Sequence, residues 1–113
     1  MAIGNFPSYF VPVLKVLAEN GTLHRQLLFE KVAAAEKLTE DEIAAVNTRG
    51  TNIFRSRISW AGSYLVQAKA VVRPERGYLE ITERGRQLLK DHPGGFDVQV
   101  LADFPDWKDA WGG

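Results

Sequence analysis

Residues 52–81 read NIFRSRISWAGSYLVQAKAVVRPERGYLEI, and the spacing of their apolar side chains changes once. Up to Lys69 the apolar residues recur every three or four positions, which predicts one long α-helix with Thr51 or Asn52 as its N-cap. Beyond it the period is two, which predicts short strands at 71–72 and 78–81. The segment between the strands, RPERG, contains proline and glycine, so we predict a tight hairpin directly after the long helix.

Helices are also predicted on both sides of this stretch. The first begins after Ser8 as N-cap and ends near Asn20, where an Asn-Gly pair is typical of helix C-termini. Thr39 with Glu42 three residues later forms a capping box that opens a short helix before the long one. Thr82 caps a last helix after the hairpin.

A further helix is predicted over 24–37, after a very short strand at 22–23. Its apolar positions are expected to form one buried face: Leu27, Leu28, Val32 and Ala35. Helices first, then a hairpin close to the end of the longest helix, is the element order of a winged helix-turn-helix. We therefore predict a mainly α fold with a small β-hairpin, of the winged helix-turn-helix class.

The length of 113 residues fits one domain. The absence of cysteine excludes disulfides, thiolate metal sites and a cysteine nucleophile. No signal peptide or membrane-spanning stretch is recognisable, which favours the cytoplasm and no membrane partner. We predict a domain over 1–92 and a linker or tail over 93–113. This acidic tail, with Phe96, Phe104, Trp107 and Trp111, is expected either to pack back on the domain or to lead to a further domain.

The formal net charge of zero hides an uneven distribution. Residues 49–90 hold nine Lys/Arg against three Asp/Glu, whereas 1–48 and 91–113 are both net acidic. A basic middle segment creates a local field that attracts an anionic partner. A solvated basic surface would explain the same distribution, so charge alone leaves both interpretations open.

The long helix has two chemically different sides. One apolar stripe is predicted to face the core: Phe54, Ile58, Ala61, Leu65 and Ala68. The opposite side carries Asn52, Ser56, Ser59 and Ser63, with Arg55 beside them. Short polar side chains let a helix approach the floor of a DNA major groove. Serine and asparagine have lower helix propensity than the Glu, Lys and Gln that are common on helix surfaces, so their presence on this side favours a function. We therefore favour a DNA-reading helix over a merely solvated face.

The predicted DNA contacts extend from this helix to the hairpin. Asn52, Ser56, Ser59 and Arg55 are expected near base edges, and the arginines at 49, 55, 73 and 76 on phosphates. Trp60 flanks the helix, where it either closes the edge of the core or lines a pocket for a methyl group or a flipped base. The predicted DNA-binding residues are Arg49, Thr51, Asn52, Arg55, Ser56, Ser59, Trp60, Ser63, Arg73, Arg76 and Tyr78.

No catalytic constellation, metal site or cofactor motif is recognisable in the sequence. The two histidines, His24 and His92, lie far apart without metal-ligand spacing, and we expect structural or solvent-exposed roles for both. There is no nucleophile elbow and no glycine-rich phosphate loop. We therefore expect no cofactor, and no enzymatic activity from this chain by itself.

Residues 57–89 resemble the N-terminal domain of the Mrr family of modification-dependent restriction endonucleases. The matching residues fall in three groups: Arg57, Trp60, Ala61, Leu65 and Ala68; Arg73, Pro74, Arg76 and Gly77; and Ile81, Thr82, Gly85, Arg86, Leu88 and Leu89. The similarity extends over about residues 7–90. It implies a DNA-reading module that precedes a nuclease domain and acts on DNA with methylated bases. Lys69 departs from the family, which commonly has glycine there, and Val71-Val72 replace a leucine pair.

Two other functions remain open at this point. A winged helix also serves as a dimerisation or protein-interaction module, and a standalone transcription regulator would bind two half-sites as a dimer. The partner that we favour is double-stranded DNA, with methylated bases as the form that the resemblance implies. A homo-oligomer formed through the full-length protein is compatible with each of these functions.

Overall fold

The computed structural model describes residues 6–104. A 3-10 helix at Phe6–Tyr9 precedes α1 (Phe10–Asn20), β1 (Leu23–His24), α2 (Arg25–Ala35), α3 (Glu40–Ala44), α4 (Ile53–Gln67), β2 (Val71–Val72), β3 (Tyr78–Ile81), α5 (Glu83–Asp91) and α6 (Val98–Ala102). The molecule is therefore mainly helical with a small antiparallel sheet. None of the helices within 6–104 has the length and apolar content needed to cross a membrane.

Three of the predicted helix caps are confirmed. The side chains of Thr39, Asn52 and Thr82 each accept a hydrogen bond from a backbone N–H three residues later, at 3.1, 2.8 and 3.2 Å. At the first of these, the backbone N–H of Thr39 also donates to Glu42 Oε1 at 2.9 Å, which completes the predicted capping box. This backbone hydrogen bond is the main cause that lowers the pKa of Glu42 below its ordinary value.

The predicted start of the first helix is wrong. Ser8 lies inside the preceding 3-10 helix, and Tyr9 occupies the N-cap position of α1. Starting at Phe10 keeps Pro12 within the first turn, where its missing N–H removes no helical hydrogen bond. The predicted apolar stripe of this helix is nevertheless buried, since Phe10, Val13, Leu14 and Leu17 are each 0% exposed.

The buried face of α2 is only partly as predicted. Leu28 and Val32 are buried, but Leu27 is 45% exposed and Ala35, the last helical residue, is also exposed. Ala33 is buried in their place. α2 begins directly after β1, so the pairing of that strand with β3 fixes where the helix starts, which helical spacing alone does not contain.

The sheet has three antiparallel strands in the order β1-β3-β2. The predicted hairpin pairs Val71 with Ile81 across β2 and β3. On the other side of β3, Leu23 of β1 pairs with Leu79. The prediction of a hairpin alone therefore missed one strand pairing, which ties the start of α2 to the hairpin.

Residues beyond α5 pack on the same core as the earlier helices. The Phe96 ring stacks on Phe10 with centroids 5.2 Å apart, and Leu101 of α6 is 0% exposed. This part of the tail follows the predicted alternative of packing back on the domain. Trp107 and Trp111 lie outside the described residues, and the predicted boundary at residue 92 stays a prediction.

Lys69 follows the end of α4 in a left-handed backbone conformation, with φ at 63°. The N–H of Ala70 donates to the carbonyl of Leu65 at 2.9 Å, and the N–H of Lys69 donates to that of Val66 at 3.0 Å. This is the hydrogen-bond pattern of a Schellman C-cap, in which glycine is the usual left-handed residue. Lys69, which stands where the family commonly has glycine, thus occupies a backbone conformation that favours glycine.

Replacing Lys69 with glycine is expected to raise the free energy of unfolding by about 1 kcal/mol, because glycine adopts this conformation without a Cβ penalty. Lys69→Ala is the control, since alanine retains the Cβ and should give no such gain. Urea unfolding of the three proteins measures the difference. A glycine variant no more stable than the alanine variant would contradict the expectation.

Candidate functional site

The two sides of α4 differ in burial as their sequence predicts. All five residues of the predicted core stripe are buried, none of them more than 1% exposed. On the other side Ser59 is exposed, and Ser56 and Ser63 are half-buried. Polar side chains of α4 therefore reach the protein surface while its apolar stripe holds the helix in the core.

A groove separates α4 from the hairpin, and we call it the α4–hairpin groove. Its volume is about 340 Å³. Ser59, Gly62 and Ser63 line it from α4, Arg25 and Phe29 from α2, and the hairpin contributes Arg73, Arg76, Gly77 and Tyr78; Leu28, Ile58 and Leu79 complete the lining. The groove thus brings together five of the predicted DNA-binding residues: Ser59, Ser63, Arg73, Arg76 and Tyr78.

Local contacts hold α2 against the hairpin at one end of the groove. The backbone N–H of Arg25 donates to the carbonyl of Gly77 at 2.8 Å. The His24 ring lies edge-on to the Tyr78 ring with centroids 5.1 Å apart, and His24 Nδ1 caps α2 by accepting from the N–H of Gln26. Gly77 has a φ of 84°, and a Cβ there would lie 3.1 Å from His24 Nε2. The structural role predicted for His24 is confirmed.

The groove is basic. Arg25, Arg73 and Arg76 line it, and no acidic side chain is among the described residues that do so. Guanidinium groups present donors that match phosphate and carboxylate oxygens, and three of them around one groove add their fields. The arrangement is therefore suited chemically to an anionic ligand with an apolar or aromatic portion.

Arg55 lies on the same side of α4 but outside this groove. Its guanidinium carbon is 5.5 Å from the centre of the Phe29 ring, so the two side chains form a cation–π contact. Arg55 is nevertheless exposed. The cation–π pair orients the Arg55 side chain, and the DNA contact of Arg55 stays a prediction.

Asn52 has a structural role that uses both ends of its amide. Oδ1 accepts from the N–H of Arg55 at 2.8 Å, and Nδ2 donates to the carbonyl of Ile43 at 2.6 Å. A bidentate contact with adenine would need the same two atoms. Asn52 is therefore the least available of the predicted DNA-binding residues, and we do not assign it to base reading.

Arg49 and Thr51 lie in the loop before α4. Asn47 Oδ1 orders this loop by accepting from their backbone N–H groups at 2.8 and 3.1 Å. Both side chains are exposed, and neither is among the residues that line the α4–hairpin groove. The structure therefore leaves them near the start of α4, separate from the hairpin arginines.

Trp60 is 53% exposed at the edge of α4. Its ring lies near those of Phe6 and Tyr64, with centroids 6.4 and 6.3 Å away, and the latter two stack on each other at 4.9 Å. Trp60 therefore contacts two partly buried rings, while its own ring stays more than half exposed. Trp60 also lines a shallow hollow of about 180 Å³, together with Ser56, Ser59 and Ser63.

The groove residues that sequence reasoning did not predict as part of a site include Arg25, Phe29 and Gly62. The first two sit on α2 and reach the groove because β1 pairs with β3, a contact between residues more than fifty positions apart. No local pattern signals that pairing. Gly62 did carry a signal, since a glycine inside a helix costs about 1 kcal/mol relative to alanine and calls for an explanation.

A family model described as the Mrr N-terminal domain matches residues 6–91. The chain belongs to the Mrr N-terminal domain family. The match confirms the resemblance drawn from the Trp-Ala, Arg-Pro-x-Arg-Gly and Gly-Arg-x-Leu-Leu segments, and it associates the chain with restriction systems. No curated protein and no solved structure matches the chain. The matched region includes every residue of this Mrr N-terminal domain that lines the α4–hairpin groove.

Proposed function

We propose that this Mrr N-terminal domain binds double-stranded DNA as a winged helix, with α4 in the major groove and the β2–β3 hairpin as the wing on the adjacent backbone. The element order supports this assignment, since a three-stranded antiparallel sheet with β1 between α1 and α2 accompanies the helices. In such domains a helix with an exposed polar face enters the major groove while flanking elements contact the backbone.

One observation carries the proposal: the serine side of α4 and the hairpin arginines border the same groove. Ser59 and Ser63 face it from α4, and Arg73 and Arg76 face it from the hairpin. A helix that reads bases must lie within one groove width of the groups that hold phosphate. Serine hydroxyls next to guanidinium groups, with no acidic side chain among the described lining residues, supply both kinds of contact.

The residue roles follow from exposure and from the hydrogen bonds already made. Arg73 and Arg76 hold phosphates, and Arg25 joins them from α2. Ser56, Ser59 and Ser63 approach base edges, because a serine hydroxyl can donate to base acceptors and accept from base donors. Arg49 and Thr51 extend this surface into the loop before α4 and Arg55 extends it along the first turn, with Trp60 and Tyr78 at its flanks.

The decisive experiment is a titration of the 113-residue chain against three matched duplexes at two salt concentrations. The duplexes differ only in being unmethylated, adenine-methylated or cytosine-methylated. We expect binding at low salt that weakens as salt rises, because each phosphate contact releases counterions. If one methylated duplex binds more tightly than the unmethylated duplex, its methylated base is the one that the domain recognises. No measurable binding to any duplex at low salt would overturn the proposal.

The double variant Arg73→Ala/Arg76→Ala is expected to weaken duplex binding at least about tenfold and to flatten the log–log salt slope by about two units, one per lost phosphate contact. Fluorescence anisotropy over a salt series measures both quantities. Lys15→Ala/Lys31→Ala is the matched control, since it removes two exposed charges that do not line the groove. Equal salt slopes for the two double variants would refute the wing assignment.

The alternatives give different results in the same assays. For a protein-interaction module, Arg55→Ala and Arg76→Ala would leave DNA affinity unchanged while a protein partner is lost. A standalone regulator would bind as a dimer, with affinity that depends on the spacing of two half-sites. Sedimentation of the DNA complex separates these outcomes, since we expect one domain to bind one site.

We further propose that the domain serves a cytoplasmic restriction endonuclease whose catalytic domain lies outside this chain. The family match supports a non-catalytic role for this region. The reading frame beyond residue 113 is then expected to encode a nuclease domain. A stop codon directly after that position would contradict this proposal without affecting DNA binding.

A further inference from the structure

We propose that the α4–hairpin groove accepts a single nucleotide that is displaced from the paired duplex. The inference rests on the proposed DNA binding and adds a second mode of contact to it. Extruding a nucleotide lets a protein read all edges of one base, provided that a pocket receives it. The groove has the size, the charge and the aromatic walls that this occupant requires.

Size and charge fit one nucleotide. The volume of about 340 Å³ lies at the lower end of the range for small-molecule sites, and the deeper lining includes Leu28 and Ile58, each 1% exposed. Arginines lie around this apolar lining. An ionised phosphate would meet the guanidinium groups while the flat base covers the apolar side chains. A long peptide or a lipid chain would need a longer apolar channel.

Two aromatic rings line the groove, and each is held by a neighbouring side chain. Phe29 is half-buried under the Arg55 guanidinium, and Tyr78, which is 37% exposed, packs against His24. An unstacked base gains about 1–3 kcal/mol by stacking on an aromatic side chain. Rings that are already held in place lose little side-chain freedom on binding. They therefore favour a base over an anion that lacks a ring.

Gly62 supplies the independent observation. It lies inside α4, where glycine lowers helix stability, yet no atom lies within 4 Å of the position that a Cβ would take. Packing within the described residues therefore gives no reason for glycine here. Because Gly62 lines the groove, any larger side chain would project into the space of the proposed nucleotide. An occupant that approaches the α4 backbone closely explains the missing side chain.

The test compares a fully paired duplex with the same duplex carrying one mismatched pair. A mismatched base is easier to displace, because less pairing energy is lost. We expect the wild-type chain to bind the mismatched duplex at least about tenfold tighter. Gly62→Leu, which fills the groove, is expected to bring the ratio of the two affinities close to one. Val66→Leu, which enlarges a side chain of α4 outside the groove, should keep the wild-type ratio.

The other possible results of this test contradict either the nucleotide site or DNA binding itself. Binding of both duplexes with equal affinity by the wild-type chain overturns the nucleotide site and leaves DNA binding intact. A mismatch preference that Gly62→Leu retains shows that the preference arises elsewhere. If Gly62→Leu does not fold, Tyr78→Ala tests the same site by removing one aromatic wall, and an unchanged ratio again contradicts the inference. Failure to bind either duplex refutes the proposed function instead.

Discussion

Replacing Gly85 with alanine is expected to destabilise the domain by about 3 kcal/mol, because the added methyl group has no room. Gly85 lies buried in the first turn of α5. A Cβ there would clash with the carbonyl oxygen of Ala70, lie 2.6 Å from Ile81 Cγ1 and lie 3.2 Å from Leu14 Cδ2. The Ala70 oxygen is fixed in place, since it accepts the N–H of Thr82 at 3.0 Å. The backbone itself would have to move.

Thermal and urea unfolding measure this loss, and Gly62→Ala provides the matched control. The same substitution at Gly62 meets no atom within 4 Å and improves helix propensity, so we expect a gain of about 0.5–1 kcal/mol. Two glycine-to-alanine changes in helices of one domain should therefore shift stability in opposite directions. Equal effects at the two positions would contradict this account of why each glycine is present.

Local patterns in the sequence were sufficient to predict the elements that carry their own signals. The apolar period of α4 placed the buried stripe, and the caps at Thr39, Asn52 and Thr82 marked three helix starts. These features are decided within a few residues, by side-chain spacing or by one hydrogen bond to a neighbouring N–H. Both faces of the proposed reading helix were therefore predictable without a fold.

Features that depend on distant pairings were not predictable in the same way. The β1–β3 pairing places the start of α2 beside the hairpin, where Arg25 lines the groove and Leu27 is exposed. The hydrogen bond from Asn52 Nδ2 to the carbonyl of Ile43 links α3 and α4 through an amide that the sequence placed on the polar side of the long helix. The sequence around α2 and around Asn52 is compatible with more than one set of contacts. Contacts between distant parts of the chain select the set that forms.

The second large effect is expected at Leu101 in α6. Leu101 is 0% exposed and belongs to the same core as Phe10 and Leu65. Truncating a fully buried leucine to alanine removes apolar contacts and leaves a cavity, which costs about 2–5 kcal/mol. We expect Leu101→Ala to lower the free energy of unfolding by about 3 kcal/mol. Gln99→Ala, an exposed change in the same helix, should remain within about 0.5 kcal/mol of the wild type.

This comparison also decides where the stable domain ends. The sequence predicted a boundary at residue 92, yet Phe96 stacks on Phe10 and the Arg84 guanidinium carbon lies 4.1 Å from the centre of the Phe104 ring. If these contacts stabilise the fold, a chain that ends at His92 will unfold at lower urea concentration than the 113-residue chain, by a margin at least as large as that of Leu101→Ala. If the truncated chain and Leu101→Ala both match the wild type, α6 is an appendage and the predicted boundary is right. Because burial of apolar area is the dominant favourable term in folding, a fully buried leucine makes the first result the expected one.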